Sequence, residues 1–305
     1  MDLSKLGTET RNQNTYDLDE LSALEIIQKM NDEDKKVAYA VEKELSTIAK
    51  LIEKCTHAIQ EGGRIVYMGA GTSGRLGLLD SVECPPTFGV EPDLVIGLIA
   101  GGDNAFIKAV EGAEDKEELG VEDLKKINCN SKDIVIGLAA SGRTPYIIGA
   151  LKYASQLNCT TATVSCNKGA VISSYADIAI EVDNGPEALT GSTRLKSGTS
   201  QKMICNMIST ATMVLCGKVY QNLMVDVKQT NEKLVNRAER IIMEATNCSK
   251  EVATQVRIES EGRVKVAIVM ILLNCDVKTA EKRLENSKGY VRGAIEWQKN
   301  YLSQI

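Results

Sequence analysis

Three glutamates are candidates for acid–base chemistry. Glu83 stands in the segment SVECPPTFG, just past a predicted helix, and Glu111 and Glu114 stand in AVEGAED, after a predicted strand and its Gly-Gly turn. The chain has one histidine, so acid–base catalysis falls to carboxylates, and two glutamates whose environments separate their pKa values can serve as acid and base. Composition alone would place each acidic residue on a solvated surface, and both alternatives stay open at this point.

Histidine and cysteine chemistry is not indicated. His57 falls in a predicted helix, far in sequence from the polar loops, which favours a packing or surface position. The nine cysteines are scattered singly, with no C-x-x-C pair, which predicts neither a metal site nor a secreted disulfide scaffold. Cys84, beside Glu83, has no evident partner base and is interpreted as a small packing residue.

Two loops of glycine and hydroxyl residues follow predicted strands and lead into helices. They are Gly69–Arg75 (GAGTSGR) and Ala139–Pro145 (AASGRTP). Backbone N–H groups at a helix N-terminus, with Ser and Thr hydroxyls, can bind a phosphate monoester without a metal. Ordinary helix N-caps are the alternative, and two such loops in matching positions favour the ligand. The first loop also reads G-x-G-x-x-G. A nicotinamide dinucleotide site needs an acidic residue at the end of the second strand, about twenty positions on, whereas here that strand ends at Ala100–Asp103, nearly thirty positions beyond Gly74.

A third polar loop, Gly185–Ser200 (GPEALTGSTRLKSGTS), precedes a long predicted helix. Its glycines are costly to order for a mere connection, and its two cations suit an anionic substrate group; a solvated surface loop is the alternative. The candidate binding residues are Gly71, Thr72, Ser73 and Gly74 in the first loop, Ser141, Gly142, Arg143 and Thr144 in the second, and Ser192, Arg194 and Lys196 in the third.

The elements that would position these loops follow from hydrophobic periodicity. Five short, apolar, β-branched runs, most of them separated by helix-length segments, predict strands of a parallel sheet covered on both faces. The fold class is therefore α/β, a doubly wound five-stranded parallel sheet whose ligand should lie at the carboxyl ends of the strands. The predicted strands are Arg64–Met68, Leu94–Ala100, Ile134–Ala140, Thr161–Ser165 and Ile178–Val182.

Helices are predicted on both sides of these strands in the sequence. The first 18 residues are polar and should form an arm, and we expect three regions: the arm and first helices over residues 1–50, a sheet domain over 51–228 and a small helical subdomain over 229–305. The predicted helices are Leu21–Met30, Asp34–Gln60, Gln201–Tyr220, Asn231–Ala245, Lys250–Glu259, Val264–Leu273, Val277–Glu285 and Val291–Tyr301.

Composition narrows the classes of protein that are expected. The chain has 305 residues, a net charge of −5 and 4% aromatic residues, which argues against a nucleic-acid-binding protein because there is no basic excess or stacking surface. The longest apolar run, Val266–Leu273, is far shorter than the roughly 20 residues of a membrane span. The N-terminal segment has no apolar stretch typical of a signal peptide, so we expect a soluble, cytoplasmic protein.

The two glycine and hydroxyl loops resemble those of the sugar isomerase (SIS) domain family, whose members bind phosphosugars on a five-stranded parallel sheet. Ser73, Ser141 and Thr144 match positions that usually contact the sugar phosphate in that family. The second loop departs from the common S-x-S-G-x-T pattern, because Ala139 stands where the first serine is expected.

A narrower resemblance covers nearly the whole chain. The segments TETRN, MGAGTSGRLG, SVECPPTFG, IAGG with AVEGAED, AASGRTPY, GPEALTGSTRLKSGTSQKM and NLMVDVKQTNEKL are similar to those of the N-acetylmuramic acid 6-phosphate etherase family. The long GPE…SGT motif is also shared with the glucokinase regulatory protein, a noncatalytic relative with two SIS domains, whereas this chain has room for one.

This resemblance implies a lyase that releases D-lactate from C3 of N-acetylmuramic acid 6-phosphate by elimination and water addition, in cell-wall sugar recycling or catabolism. It implies Glu83 as the acid and Glu114 as the base, with the two roles open to exchange, and no metal or redox cofactor. It further implies a homodimer and a C-terminal part similar to a ubiquitin-associated three-helix fold. An aldose–ketose isomerase of aminosugar phosphates and a noncatalytic phosphosugar sensor are the alternatives.

Overall fold

A five-stranded parallel sheet forms the centre of the first part of the chain. The computed structural model describes residues 6–108, 110–227, 229 and 231–302, and the side chains up to residue 296. The strand order is β2-β1-β3-β4-β5, all neighbours are parallel, and the expected fold class is confirmed. The strands are β1 (Ile65–Gly69), β2 (Val95–Ile99), β3 (Ile134–Ala139), β4 (Thr160–Ser165) and β5 (Ile178–Glu181).

Two of the three inner strands, β1 and β3, are buried along their whole length, as expected of continuous apolar runs between two layers of helices. Helices precede, connect and follow the strands, with a 3₁₀ turn at Val171–Tyr175 between β4 and β5. These helices are α1 (Ala23–Glu42), α2 (Leu45–Gln60), α3 (Gly71–Phe88), α4 (Asn104–Ile107), α5 (Glu117–Lys126), α6 (Pro145–Gln156) and α7 (Lys196–Leu215).

An ion pair joins the starts of β1 and β3. The Arg64 guanidinium donates to both carboxylate oxygens of the buried Asp133, with Nε–Oδ1 at 3.0 Å and Nη2–Oδ2 at 2.6 Å. The same carboxylate accepts the backbone N–H groups of Arg64 and Asn130. Burial by itself raises the pKa of Asp133, but these hydrogen bonds outweigh it and lower the pKa below its ordinary value.

The first helix is longer than predicted. The expected break between Met30 and Asp34 is wrong: α1 begins with a capping box of Ser22 and Glu25 and continues to Glu42. The polar residues at this point do not end the helix, because Glu33 is buried and paired with a residue distant in sequence. The continuous helix expected over Asp34–Gln60 is wrong as well, because the break lies at residues 43–44, before α2.

The N-terminal residues are packed rather than a loose arm. Residues 6–20 form three short 3₁₀ turns, and residues 1–5 of the expected arm lie outside the described residues. Thr8 is buried and accepts a hydrogen bond from Asn167 Nδ2 at 3.1 Å, and the buried Asn12 donates to the carbonyl of Pro186 at 3.3 Å. Since Asn167 follows β4 and also donates to the carbonyl of Ala140 after β3, these turns run along the carboxyl edge of the sheet.

The long helix after the sheet is displaced from its prediction. α7 begins at Lys196, five residues before the expected Gln201, and ends at Leu215 instead of Tyr220. Gly217, with a φ of +74°, terminates it, and a short antiparallel pair follows, β6 (Val219–Tyr220) with β7 (Leu223–Met224). The sequence prediction extended the helix into this hairpin because both segments are mostly apolar.

The five C-terminal helices agree with the sequence prediction to within one residue. Asn247 and Asn274 adopt left-handed conformations that end two of them, at two of the expected breaks. The helices are α8 (Glu232–Thr246), α9 (Lys250–Glu259), α10 (Val264–Leu273), α11 (Val277–Asn286) and α12 (Val291–Leu302). The central helix, α10, is apolar on all sides because it is the core of this group.

Two compact units make up the chain. The first comprises Met1–Val82 and Pro92–Thr210, and the second comprises Glu83–Glu91 and Ala211–Ile305. The domain limits expected at residues 50 and 228 stay predictions. Within the part of the chain that the structure describes, no helix has the length and apolarity to cross a membrane.

Candidate active site

The first loop is the tight turn from β1 into α3. Gly71 takes a φ of +52°, which permits the turn. A Cβ on Gly74 would lie 2.6 Å from the carbonyl oxygen of Gly69 and 2.7 Å from Ile99, so this glycine lets α3 pack directly on the sheet. Ser73 is buried, and its hydroxyl donates to Gln201 Oε1 at 2.8 Å. Because the Ser73 hydroxyl is already hydrogen-bonded, the groups that this loop can offer to an anion are mainly the backbone N–H groups at the N-terminus of α3, near Thr72.

The second loop presents its polar side chains at the carboxyl end of β3. Gly142, with a φ of +72°, turns the chain so closely over Ala170 that a Cβ would lie 2.4 Å from that residue's Cβ. Ser141, Arg143 and Thr144 are half-buried. Thr144 is the N-cap of α6, yet its side chain makes no capping hydrogen bond, and Pro145 fills the first helical position. The Thr144 hydroxyl and the helix N-terminus are thus available to an anion at the same point.

The third loop owes part of its composition to helix capping. Glu187 is fully buried, and its carboxylate accepts the backbone N–H of Lys196 at 2.8 Å and the backbone N–H and hydroxyl of Ser197 at 2.9 and 2.8 Å. The carboxylate therefore satisfies N–H groups that the first turn of α7 leaves without partners. Ser192 is half-buried and Arg194 is exposed, so these two remain accessible in the loop.

Lys196 lies in the first turn of α7, not in a flexible loop. Its side chain is 1% exposed, and Nζ donates to Glu33 Oε2 at 2.8 Å and to the carbonyl of Pro186 at 2.9 Å. Burial raises the pKa of Glu33, but hydrogen bonds from Lys196, Lys36 and Asn14 lower it to about 2. The ammonium group is thereby committed to a buried ion pair, and its expected contact with an anionic substrate stays a prediction.

A cavity opens at the carboxyl ends of β1 and β2. Its volume is about 170 Å³, and it brings together two of the predicted site residues, Gly71 and Glu114. The other predicted binding residues do not line it within the described part of the chain. The lining residues are Ala70, Gly71, Arg75, Ala100, Ala105, Val110, Glu111, Gly112 and Glu114.

Backbone contacts hold Glu114 to the second loop. Its carbonyl accepts the backbone N–H of Tyr146, in the first turn of α6, at 3.0 Å, while its side chain is exposed. Just beyond, α5 and α6 touch through glycines: a Cβ on Gly120 would lie 2.2 Å from the carbonyl oxygen of Tyr146, and one on Gly149 would lie 2.1 Å from that of Glu117. These close approaches allow no side chain between the helices, so the main chain of Glu114 and the second loop are both attached to one closely packed pair of helices.

Glu83 lies inside α3 and not just past a helix as expected, whereas Cys84 and His57 lie where the sequence indicated. Glu83 is exposed in α3 and belongs to the second compact unit, while Glu114 belongs to the first. Cys84 is buried, in agreement with a packing role, and His57 is exposed on α2, in agreement with a surface position. Among the described residues, no group of three or more His, Cys, Asp or Glu side chains is placed to hold a metal ion.

The cavity also contains two further charged residues: Arg75, which was not among the predicted binding residues, and Glu111, which the sequence offered as an acid–base candidate without an assigned role. Both stand in segments that the interpretation had singled out. The sequence placed Arg75 at the end of the first loop, whereas the structure begins α3 at Gly71 and so places Arg75 one turn further along the same face of that helix. Three polar residues at the carboxyl edge, Thr8, Asn12 and Asn167, were likewise not anticipated.

Comparisons with known proteins agree with this geometry. Two family models match, "Glucokinase regulatory protein N-terminal SIS domain" over residues 47–155 and "SIS domain" over residues 117–211. The N-acetylmuramic acid 6-phosphate etherases of Bacillus mycoides (strain KBAB4) and Geobacillus sp. (strain WCH70) are 59% and 58% identical to this chain, over 96% of its length and 100% of theirs. The chain belongs to the N-acetylmuramic acid 6-phosphate etherase family.

Membership of the etherase family confirms the resemblance found in the sequence. Among solved structures, the phosphoheptose isomerase GmhA from Neisseria gonorrhoeae aligns with a TM-score of 0.50 and 14% identity, over 63% of this chain and 98% of that one. At that identity, the similarity shows a shared fold. The aligned share is consistent with one SIS-type sheet unit in a longer chain.

Proposed function

We propose that this chain is a carbon–oxygen lyase that converts N-acetylmuramic acid 6-phosphate to N-acetylglucosamine 6-phosphate and D-lactate. The observation that carries the proposal is the identity of 58–59% with etherases over their full length. The cavity at the carboxyl ends of β1 and β2 supports it, because a carboxylate stands there beside a helix N-terminus, as binding and deprotonating a phosphosugar would require.

In the proposed reaction, the sugar opens to its aldehyde, in which the C2 proton is acidic because it is α to the carbonyl. Glu114 removes this proton, and the C3–oxygen bond breaks while Glu83 protonates the departing lactate oxygen. Water then adds at C3 of the unsaturated aldehyde: the Glu83 carboxylate takes one proton from the water as its oxygen bonds to C3, and Glu114 returns its proton to C2, so both glutamates regain their initial protonation states. No electrons are exchanged with an external acceptor in this sequence, so no redox cofactor is required.

The phosphate is assigned to the loops that end β1 and β3. Ser141, Thr144 and the N-terminus of α6 offer hydroxyl and backbone donors, with Arg143 beside them, while Gly71–Gly74 offers the N-terminus of α3. In the third loop, Ser192 and Arg194 are assigned to a second contact with the substrate. Lys196 supports this loop through its ion pair with Glu33.

D-lactate release from N-acetylmuramic acid 6-phosphate, measured in EDTA without a nicotinamide cofactor, tests the proposal. In H₂¹⁸O, elimination and hydration place ¹⁸O at C3 of the sugar. E83Q and E114Q should each lower kcat by about 100-fold or more, the scale of a lost general acid or base. E61Q, which changes an exposed glutamate at the C-terminal end of α2, is the matched control.

Each outcome has a distinct meaning. Conversion to a ketose without lactate would identify an isomerase, and binding of sugar phosphates without turnover would identify a sensor. Full activity of E83Q or E114Q would remove that glutamate from the mechanism.

We also propose a cytoplasmic homodimer that acts on sugars recovered from the cell wall. Exposed apolar side chains support an association surface beside the cavity, with Phe106 41% and Ile107 89% exposed. Light scattering on the purified protein should give twice the mass of one chain, and I107E should shift it toward the monomer. A monomeric wild-type protein would contradict this part of the proposal.

A further inference from the structure

The cavity at the ends of β1 and β2 has an unusual balance of charge. Glu111 and Glu114 are both exposed at its wall, and Arg75 is the one cation among the described residues that line it. Under the proposed function, the substrate brings a further negative charge, the carboxylate of the lactyl group. A third carboxylate would be repelled from such a cavity unless a cation neutralised it.

The Arg75 guanidinium is held in place by two neutral carbonyl groups. Its Nε donates to the carbonyl of Phe106 and its Nη2 to the carbonyl of Ala105, both at 2.8 Å. These contacts fix the plane of the guanidinium without cancelling its charge, and within the described residues Arg75 forms no ion pair. A guanidinium has five N–H donors, so donors remain for a ligand in the geometry that suits a carboxylate.

The other cations near the predicted site are less suited to this contact. Lys196 is buried and committed to Glu33, and Arg143 and Arg194 do not line the cavity within the described part of the chain. An ammonium group in place of Arg75 would offer a point charge and could not serve two carbonyls and a carboxylate in one plane.

We propose that the Arg75 guanidinium binds the carboxylate of the lactyl group and so orients the group that departs from C3. This inference rests on the proposed function and deepens it, since it makes Arg75 the residue that distinguishes N-acetylmuramic acid 6-phosphate from sugar phosphates that lack a carboxylate. The ether bond is then presented with its leaving group held in place before the C2 proton is removed.

Paired binding measurements test this assignment without depending on turnover. N-acetylmuramic acid 6-phosphate and N-acetylglucosamine 6-phosphate are titrated by calorimetry into E114Q and into the double variant E114Q/R75Q. Loss of charge-assisted hydrogen bonds should weaken the Kd of the first sugar by about 30-fold. The Kd of the second, which has no carboxylate, should change by less than about threefold. R240Q, an exposed arginine in α8, controls for the loss of one positive charge.

Every outcome decides the matter. If R75Q weakened the binding of both sugars equally, Arg75 would act by holding α4. If the affinity for both sugars were unchanged, Arg75 would contact neither. Either result would overturn the assignment. R75K should recover part of the affinity for the carboxylate sugar. Failure of the wild-type chain to release lactate would overturn the proposed function, and this result is separate from the binding comparison.

Discussion

Replacing Lys196 with methionine removes one half of a buried ion pair and keeps most of the side-chain volume. Glu33, 2% exposed, would then retain Lys36 and Asn14 as partners for one carboxylate oxygen and lose the cation on the other. Removing one member of a buried pair costs about 3–5 kcal/mol, and the remaining partners place this case at the lower end. The lowering of the Glu33 pKa from 4.5 to about 2 corresponds to about 3 kcal/mol for all partners of this carboxylate together, after the opposing effect of burial.

Urea unfolding at pH 7, followed by circular dichroism, should therefore show K196M to be about 3 kcal/mol less stable than the wild-type protein. The matched control is K36M, because Lys36 pairs with the same carboxylate but its side chain is 52% exposed. That variant should lose less than about 1 kcal/mol. A loss below 1 kcal/mol in K196M, or equal losses in the two variants, would refute the argument from burial.

The same pair predicts a pH dependence. Because the folded-state pKa of Glu33 is depressed, its contribution to stability is complete above pH 4.5 and declines as pH falls toward 2. The difference in unfolding free energy between wild type and E33Q should shrink by about 1 kcal/mol at pH 3.5 relative to pH 7. A constant difference across this range would contradict the assignment.

Three further substitutions probe other contacts. E187A removes the carboxylate that caps α7 and should lower the free energy of unfolding in urea by about 2 kcal/mol. A loss no larger than that caused by replacing an exposed glutamate with alanine would contradict the capping role. G142A places a methyl group 2.4 Å from the Cβ of Ala170 and should weaken binding of N-acetylglucosamine 6-phosphate at least tenfold in calorimetry. D133N leaves Arg64 without its charged partner, at a cost of about 3 kcal/mol. Because the folded-state pKa of Asp133 is lowered from 3.8, this cost should diminish as the pH falls below 3.8, where the unfolded chain takes up the proton first.

The sheet could be predicted from the sequence because each strand carries its own signal. Continuous apolar runs such as Ile134–Ala139 identify buried parallel strands without knowledge of their neighbours. The break assigned near Met30 failed for the opposite reason. Glu33 looks solvated in the sequence, and the residue that makes its burial possible lies 163 positions away.

Local sequence patterns predicted only part of the candidate site. Local glycine and hydroxyl patterns located the turns at Gly71 and Gly142, where a positive φ or a close approach requires glycine. The capping function of Glu187 was missed because a ligand loop and a capped helix start share the same composition. Arg75 was missed because its significance depends on the carbonyls of α4, whose position no local pattern specifies.

The backbone contact between Glu114 and Tyr146 has a consequence for substrate length. The main chain of Glu114 is joined to the start of α6, beside the second loop, by a hydrogen bond and by facing glycines in the helices that follow, so the distance from that loop to the carboxylate changes mainly through rotation of the Glu114 side chain. The fixed main chain therefore limits the range of distances between the phosphate and the carbon from which Glu114 removes a proton. A sugar phosphate one carbon shorter would bind at the same loop, and Glu114 could reach its acidic carbon only in a different side-chain rotamer.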